Sequence, residues 1–277
     1  MSSQRSVVFA EPIRTAIGTF GGALKDVPAP TLGAVAIDAA VARANIRPDA
    51  VEAVVMGNVV QAGNKMNPAR QASVHAGLPV TTPALTVNRV CGSGAQAIVS
   101  AAQEIALGNA DVAVAGGMEN MDLAPYLLAR ARWGYRMGEG AVYDSMLRDG
   151  LNDAFSDAHS GWHTEDLVEK YQVTRDAQDR WALQSQQRFA KAQAAGHFKA
   201  QIVPVGVPGK KGPIQFDKDE HKIVHAWHSL PNAGQRFGLT CQRPDALLRF
   251  ERHLARRLEQ QCRRAEQAQA RPICRHA

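Results

Sequence analysis

Cys91 is the residue whose neighbours best equip it for covalent chemistry. It stands in "NRVCGSGAQ" (88–96), after the apolar run "PALTV" (Pro83 to Val87) and before "AQAIVSAAQEIALG" (Ala95 to Gly108), a small-residue stretch that reads as a helix. A cysteine at such a junction has two readings. Free cysteines often fill a core as small hydrophobes. Alternatively, a helix N-terminus favours a thiolate, its backbone N–H groups can hold an oxyanion, and Gly-Ser-Gly allows a sharp turn or close approach. The residues by themselves leave both open. The other cysteines, Cys241, Cys262 and Cys274, lie far away with no C-x-x-C pair or zinc spacing, so neither a disulfide framework nor a metal site is expected.

The elements that must position Cys91 follow an α/β alternation. "SVVFA" (Ser6 to Ala10) reads as an opening strand, and "TLGAVAIDAAVARANI" as a helix capped by Thr31. "VEAVVMGNVV" (Val51 to Val60) is a second strand region. A short helix, "NPARQASVHAG", follows with Asn67 as cap, Pro68 at its first position and Gly77 beyond its end. "PALTVNRV" is a third strand, the helix after Cys91 comes next, and "DVAVAGG" (Asp111 to Gly117) is a fourth strand whose Gly116 and Gly117 are expected to serve the following turn. The expected order is β-α-β-α-β-α-β.

From about Asp122 the alternation stops and a more polar, aromatic segment runs to about Val207. Its clearest element, "TRDAQDRWALQSQQRFAKAQAAGHF", is a helix with Thr174 as cap, Asp176 in the first turn, Gly196 at the end, and Trp181, Ser185, Phe189 and Ala192 on one face. "QIVPVGV" is then a short strand, and "PGKKGPIQFDKDEH" a charged turn with an extended segment.

The chain of 277 residues is long enough to bury a core without staples. Its net charge of +6 is not global: residues 1–221 hold 21 Lys+Arg against 22 Asp+Glu, while residues 222–277 hold 11 against 4. The tail has 10 Arg and 2 Gly, and Leu247, Phe250, Leu254, Leu258, Cys262 and Ala265 fall near helical spacing. With no apolar leader after Met1 and no run near the roughly 18 to 20 apolar residues a bilayer requires, a cytoplasmic protein without a membrane partner is expected.

The stretch "NRVCGSGAQAIVSAAQEIALGNADVAVAGGMENMDLAPYLL" closely resembles the nucleophile segment of the thiolases, the β-ketothiolase and acetyl-CoA acetyltransferase family. "RTAIGTFGGALKDV", "VVMGNVVQAGNKMNPARQASVHAGLP", "ARWGYRMG", "HSGWHTEDLVEKYQVTRDAQDRWALQSQQ" and "AAGHFKAQIVPV" agree in order, so the resemblance runs from about Val7 to His221. It implies a layered α-β-α-β-α fold of two similar halves with an inserted loop domain that binds coenzyme A. Residues 1–121 then correspond to the first half, 122–221 to the loop domain, and 222–277 to a basic tail that is not thiolase-like. Cys91 becomes the acyl-accepting nucleophile of a ping-pong reaction: it takes an acyl group from acyl-CoA, and acetyl-CoA attacks the resulting thioester in a Claisen condensation, or the reverse. Coenzyme A thioesters are the substrates and no metal or redox cofactor is implied. His159, on the family's His-x-Gly, is implied as a substrate-binding residue, with Ser160 where Met commonly follows. The resemblance also implies a homodimer or homotetramer.

His75 and His163 are expected to be structural, and Asn88 to hold the turn before Cys91. The family's partner groups, a Gly-His-Pro histidine, a Cys-x-Gly-x-Gly cysteine and an Asn-Glu-Ala segment, do not occur in these 277 residues. The expectation is therefore a thiolase whose second half is missing, with a face left uncovered and activity impaired; a non-catalytic coenzyme A-binding or interaction protein derived from a thiolase is the alternative. A frame shift or chimeric join would explain an Arg-rich, Gly-poor end. A basic appendage for nucleic acid or an acidic partner would lack the interleaved aromatics or zinc pattern such binding uses, so a nucleic-acid partner is not expected.

Overall fold

The most apolar strand of the sequence is also the most enclosed. Ala53–Gly57 (β2) carries Val54, Val55 and Met56 at 1%, 3% and 2% exposure, so successive side chains, which point to opposite faces, are buried on both. The computed structural model describes residues 5–209 and 212–220, all within a compact unit of residues 1–225. The expected amphipathic helix at 247–265 and the rest of the basic tail lie outside the described residues.

β2 is the middle of a three-stranded parallel sheet. Ala84–Val87 (β3) flanks it on one side, in register Val54↔Ala84, and Ala113–Gly117 (β4) on the other, in register Val54↔Val114. Parallel neighbours need crossover helices. Pro68–His75 (α2) joins β2 to β3, and Ser93–Leu107 (α3) returns the chain from β3 across β2 to β4. Because the second crossover runs in the opposite direction along the sheet, right-handed connection puts its helix on the opposite face. The cores record this. Val54 and Met56 pack with Ile37 and Val41 of Ala29–Arg43 (α1) and with Ala69 and Ala72 of α2, whereas Val55 packs with Ala97 and Ala101 of α3. The result is helix, sheet, helix in three layers.

Several local expectations need correction. Ser6–Ala10 is not a strand: the pairing near this end is only Arg14–Thr15 (β1) on Ile202–Val203 (β7), and Val8 and Phe9 are 84% and 73% exposed. An apolar run becomes a strand only where a neighbour takes its backbone hydrogen bonds, and none does among the described residues. Thr31 does not cap α1; the helix begins at Ala29 with Pro30 in its first turn, where a missing N–H costs nothing. Asn67 does cap α2, accepting from Arg70 N at 3.1 Å, and Gly77 beyond the end has φ +80°.

Beyond β4, Tyr126–Leu127 (β5) pairs antiparallel with Tyr143–Asp144 (β6), and a π-helical turn spans Met146–Leu151. Ser160–Lys170 (α4) and Arg175–Ala194 (α5) follow, the latter capped by Thr174 through Ala177 N. No residue of either helix is buried, and Trp181 is 71% exposed, so the expected face of α5 does not serve a core. Phe189 instead stacks on Phe198. The expected single strand "QIVPVGV" is divided at Pro204, and Val205–Val207 (β8) forms a hairpin with Ile214–Phe216 (β9).

The end of this segment is tied back to the beginning of the chain. Asp219 accepts from Arg14 Nη1 at 2.7 Å, Arg14 Nη2 at 2.9 Å and Ile17 N at 2.8 Å; Glu220 accepts from Thr19 N at 2.9 Å and Thr19 Oγ1 at 3.1 Å. A forked guanidinium on a buried carboxylate is among the stronger polar contacts available.

Ile37→Ala opens a cavity among Val54, Met56 and Ala72 and should cost about 2–5 kcal/mol in urea unfolding. Trp181→Ala should change stability by less than about 0.5 kcal/mol. Equal losses at the two positions would contradict this packing.

Candidate active site

All three strands of the parallel sheet end at the same edge, and the segments leaving them meet there. Asn58 to Val60 follow β2, Val90 and Cys91 follow β3, and Met118 and Glu119 follow β4; together with Gly150 and Leu151 they line a cavity of about 400 Å³. The carboxyl edge of a parallel sheet, where successive crossovers leave to opposite faces, is where open α/β folds place ligands. Cys91 is exposed, which removes the core-filling reading.

The turn bearing Cys91 is held against strain. Val90, immediately before it, has φ +50°, a left-handed conformation that a β-branched residue adopts at a cost of about 1–3 kcal/mol. Its amide donates to Asn88 Oδ1 at 2.9 Å, and its carbonyl accepts from Ser93 Oγ at 2.6 Å. The same Ser93 oxygen accepts from Arg89 N at 2.8 Å, so one buried hydroxyl closes the turn from both sides. Asn88 therefore has the turn-holding geometry expected of it. The amides of Gly92 and Ser93 bond to the carbonyls of Arg89 and Val90 at 3.1 Å and 3.0 Å, so they are engaged within the turn rather than free for an oxyanion.

Gly117 lies in β4, paired with Gly57, and Gly116 is paired with Met56; neither is in a turn. They serve close approach. A Cβ on Gly57 would lie 2.6 Å from the Ser93 carbonyl carbon, and one on Gly117 would lie 3.3 Å from Gly94 Cα. Bare backbone here lets the start of α3 rest directly on the strand ends.

Sequence reasoning missed two residues of this cavity, Asn58 and Glu119. Glu119 is half-buried; its Oε1 accepts from Asn58 Nδ2 at 2.9 Å, and its Oε2 from Val59 N at 2.8 Å and Val60 N at 3.4 Å. Asn58, 1% exposed, also donates to the Met118 carbonyl at 3.1 Å. Burial raises the Glu119 carboxyl above its ordinary value, against the lowering effect of the Val59, Val60 and Asn58 donors. The available signal was positional: each residue is polar and stands just after an apolar strand of a parallel sheet.

His159 does not line the cavity. It is the N-cap of α4, its Nδ1 accepting from Gly161 N at 3.0 Å, and its backbone bridges to Asn152, which follows the cavity residue Leu151. His163 contacts Ser156 Oγ at 3.0 Å, and His75 is exposed on the last turn of α2, so neither of these two histidines reaches the cavity lining. Among the described residues, no group of three or more His, Cys, Asp or Glu gathers in metal-binding geometry, and no helix is long and apolar enough to cross a membrane.

The carboxyl raised by burial gives Glu119 a linkage signature. Since folding favours its protonated form, the stability it contributes is present at acid pH and is lost as pH rises through the raised value. Urea unfolding between about pH 4 and pH 7 should show E119Q gaining relative to wild type as pH increases. Parallel pH profiles for the two proteins would contradict the burial effect.

The amino-acid sequence has relatives among known proteins. Residues 7–228 match the family model for the thiolase N-terminal domain, slightly beyond the stretch ending at His221. An acetyl-CoA acetyltransferase of Chromobacterium violaceum is 51% identical over 208 residues, covering 75% of this chain and 53% of the relative. One of Cupriavidus necator is 48% identical over 215 residues, covering 77% and 55%. The chain spans about half the length of the curated relatives it matches.

Proposed function

The chain belongs to the thiolase family, and from that premise we propose that it is an acyltransferase whose Cys91 accepts an acyl group from acyl-CoA. The observation that supports this most directly is the presentation of Cys91: an exposed thiol on a strained, doubly clamped turn at the mouth of a cavity on the sheet's carboxyl edge. Cys91 Sγ attacks the thioester carbonyl, the bond to the coenzyme A sulfur breaks with its electron pair, and the proton lost by Cys91 ends on the departing thiol. The acyl group then rests on Cys91 until acetyl-CoA loses an α-proton and its enolate carbon attacks the acyl carbonyl; the bond to Cys91 Sγ breaks with its electron pair and the sulfur regains a proton, or, in reverse, a 3-oxoacyl-CoA is cleaved. Acyl transfer changes no oxidation state, so coenzyme A thioesters suffice as substrates and no redox cofactor enters.

Residues 1–121 supply the nucleophile in this reading, and residues 122–221 form the coenzyme A-binding loop domain with His159 beside the bound substrate. The protein works in the cytoplasm as a homodimer or homotetramer. The groups that would activate Cys91 and move the proton on the second acetyl-CoA are not among its 277 residues. Acylation is therefore separable from turnover here, since loss of a positioned acid or base costs about 10²–10⁴ in rate.

Incubation with acetyl-CoA followed by peptide mass spectrometry should find one acetyl group on Cys91, absent in Cys91→Ala. Thiolysis of acetoacetyl-CoA should be slower than that of the Chromobacterium violaceum relative by about 10² or more. Saturable coenzyme A binding with no acetyl-Cys91 would reject the acyltransferase and leave the alternative, a non-catalytic coenzyme A-binding protein of thiolase descent. That alternative is motivated by the same missing groups.

A further inference from the structure

Acyl transfer to Cys91 as described makes no use of the carboxylate that shares its cavity. Among the described lining residues Glu119 is the one charged side chain. Arg89, on the same turn as Cys91, directs its guanidinium to Gln96 Oε1 at 2.8 Å. A carboxylate in a partly desolvated pocket is unfavourable unless it is hydrogen-bonded, and Glu119 has three N–H partners, from Asn58, Val59 and Val60.

Glu119 Oε2 accepts from Val59 N at 2.8 Å, and Oε1 accepts from the buried Asn58 amide at 2.9 Å. The Val59 carbonyl accepts from Asn88 Nδ2 at 3.4 Å, and Asn88 Oδ1 accepts from Val90 N at 2.9 Å. Val90 is the residue at φ +50° directly before Cys91. We propose that Glu119 is a positioning residue for Cys91: a hydrogen-bonded line from its carboxylate through Val59 and Asn88 to the Val90 amide holds the thiol-bearing turn in its strained conformation.

The protonation state matters to this line. All the groups bonded to the carboxylate are N–H donors, which suits an ionised, acceptor-only carboxylate. Protonation weakens these three bonds, the ones that oppose the upward effect of burial on this carboxyl, so the 58–60 segment slackens while the side chain itself stays half-buried. The turn at Val90 then loses its support. The inference rests on Cys91 being the acyl acceptor, but its test requires no acyl-CoA, so failure of one is distinguishable from failure of the other.

The rate of Cys91 alkylation by iodoacetamide, read on the Cys91 peptide of the full chain, reports the placement of the thiol. Glu119→Gln and Asn88→Ala should each change that rate by about threefold or more, the size expected from losing one hydrogen bond. The double variant should react like Asn88→Ala alone, because both act through one line. Wild type and E119Q should converge as pH falls through the Glu119 titration, while N88A remains apart. A double variant showing the product of the two single effects, or an E119Q rate equal to wild type at every pH, would overturn the proposal. Should E119Q fail to fold, hydrogen exchange on wild type decides. Val90 should lose amide protection together with Val59 and Val60 on acidification, while Gln71, bonded to the Asn67 carbonyl, keeps it; an unchanged Val90 would equally overturn it.

Discussion

The structure around Cys91 depends on the contact between the start of α3 and the ends of β2 and β4. Side chains at Gly57 and Gly117 would occupy the space taken by Ser93 and Gly94. With bare backbone at those points, α3 lies directly over the sheet edge, and its first turn brings Ser93 Oγ within reach of both Arg89 N and the Val90 carbonyl. The sharp reversal at Val90 follows. In this short strand-to-helix connection the left-handed Val90 supplies the bend directly before Cys91, whose side chain is exposed.

This arrangement explains why some of the fold was legible in the chain and some was not. The parallel sheet was readable because β2 and its neighbours are short apolar runs separated by helical stretches, and the Asn67, Pro68 and Gly77 signals of α2 act over only a few residues. "SVVFA" was misread because periodicity reports a tendency to be buried, not the presence of a neighbour to pair with; Val8 and Phe9 are left exposed. The glycines after β4 were misread for a related reason. A glycine pair after an apolar run signals a turn or a close approach equally well, and only the path of α3 decides between them.

At the site, one short segment was enough to single out Cys91, but its residues left a core-filling reading open until the exposure of the thiol removed it. Glu119 and Asn58 were not legible, because their meaning is relational. Glu119 is an ordinary glutamate in "GGMEN" until the parallel register of β2 and β4 sets it beside the Val59 and Val60 amides. Asn58 becomes a cavity residue only because its amide bonds the Met118 carbonyl as well as Glu119. His159 shows the converse: a residue singled out by resemblance, whose observed bonds are those of a helix cap.

The division between a thiol that is firmly placed and partner groups absent from these residues has a physical logic. Placement of the Cys91 thiol is a property of short-range structure: a strained turn, a hydroxyl clamp and an asparagine bond, all within residues 88–93 and resting on one sheet. Proton transfer has a different requirement, a second titratable group held within about 3 Å of the moving proton in the productive complex. Among the cavity-lining residues described, only Glu119 could be considered for that role, and its oxygens are already committed to Asn58, Val59 and Val60. Its bonding pattern makes it part of the scaffold rather than a free base. Under the acyl-acceptor proposal, such a site would form an acyl-cysteine more readily than it would complete a cycle, because the Cys91 thiol is exposed while the cavity's carboxylate is already bonded.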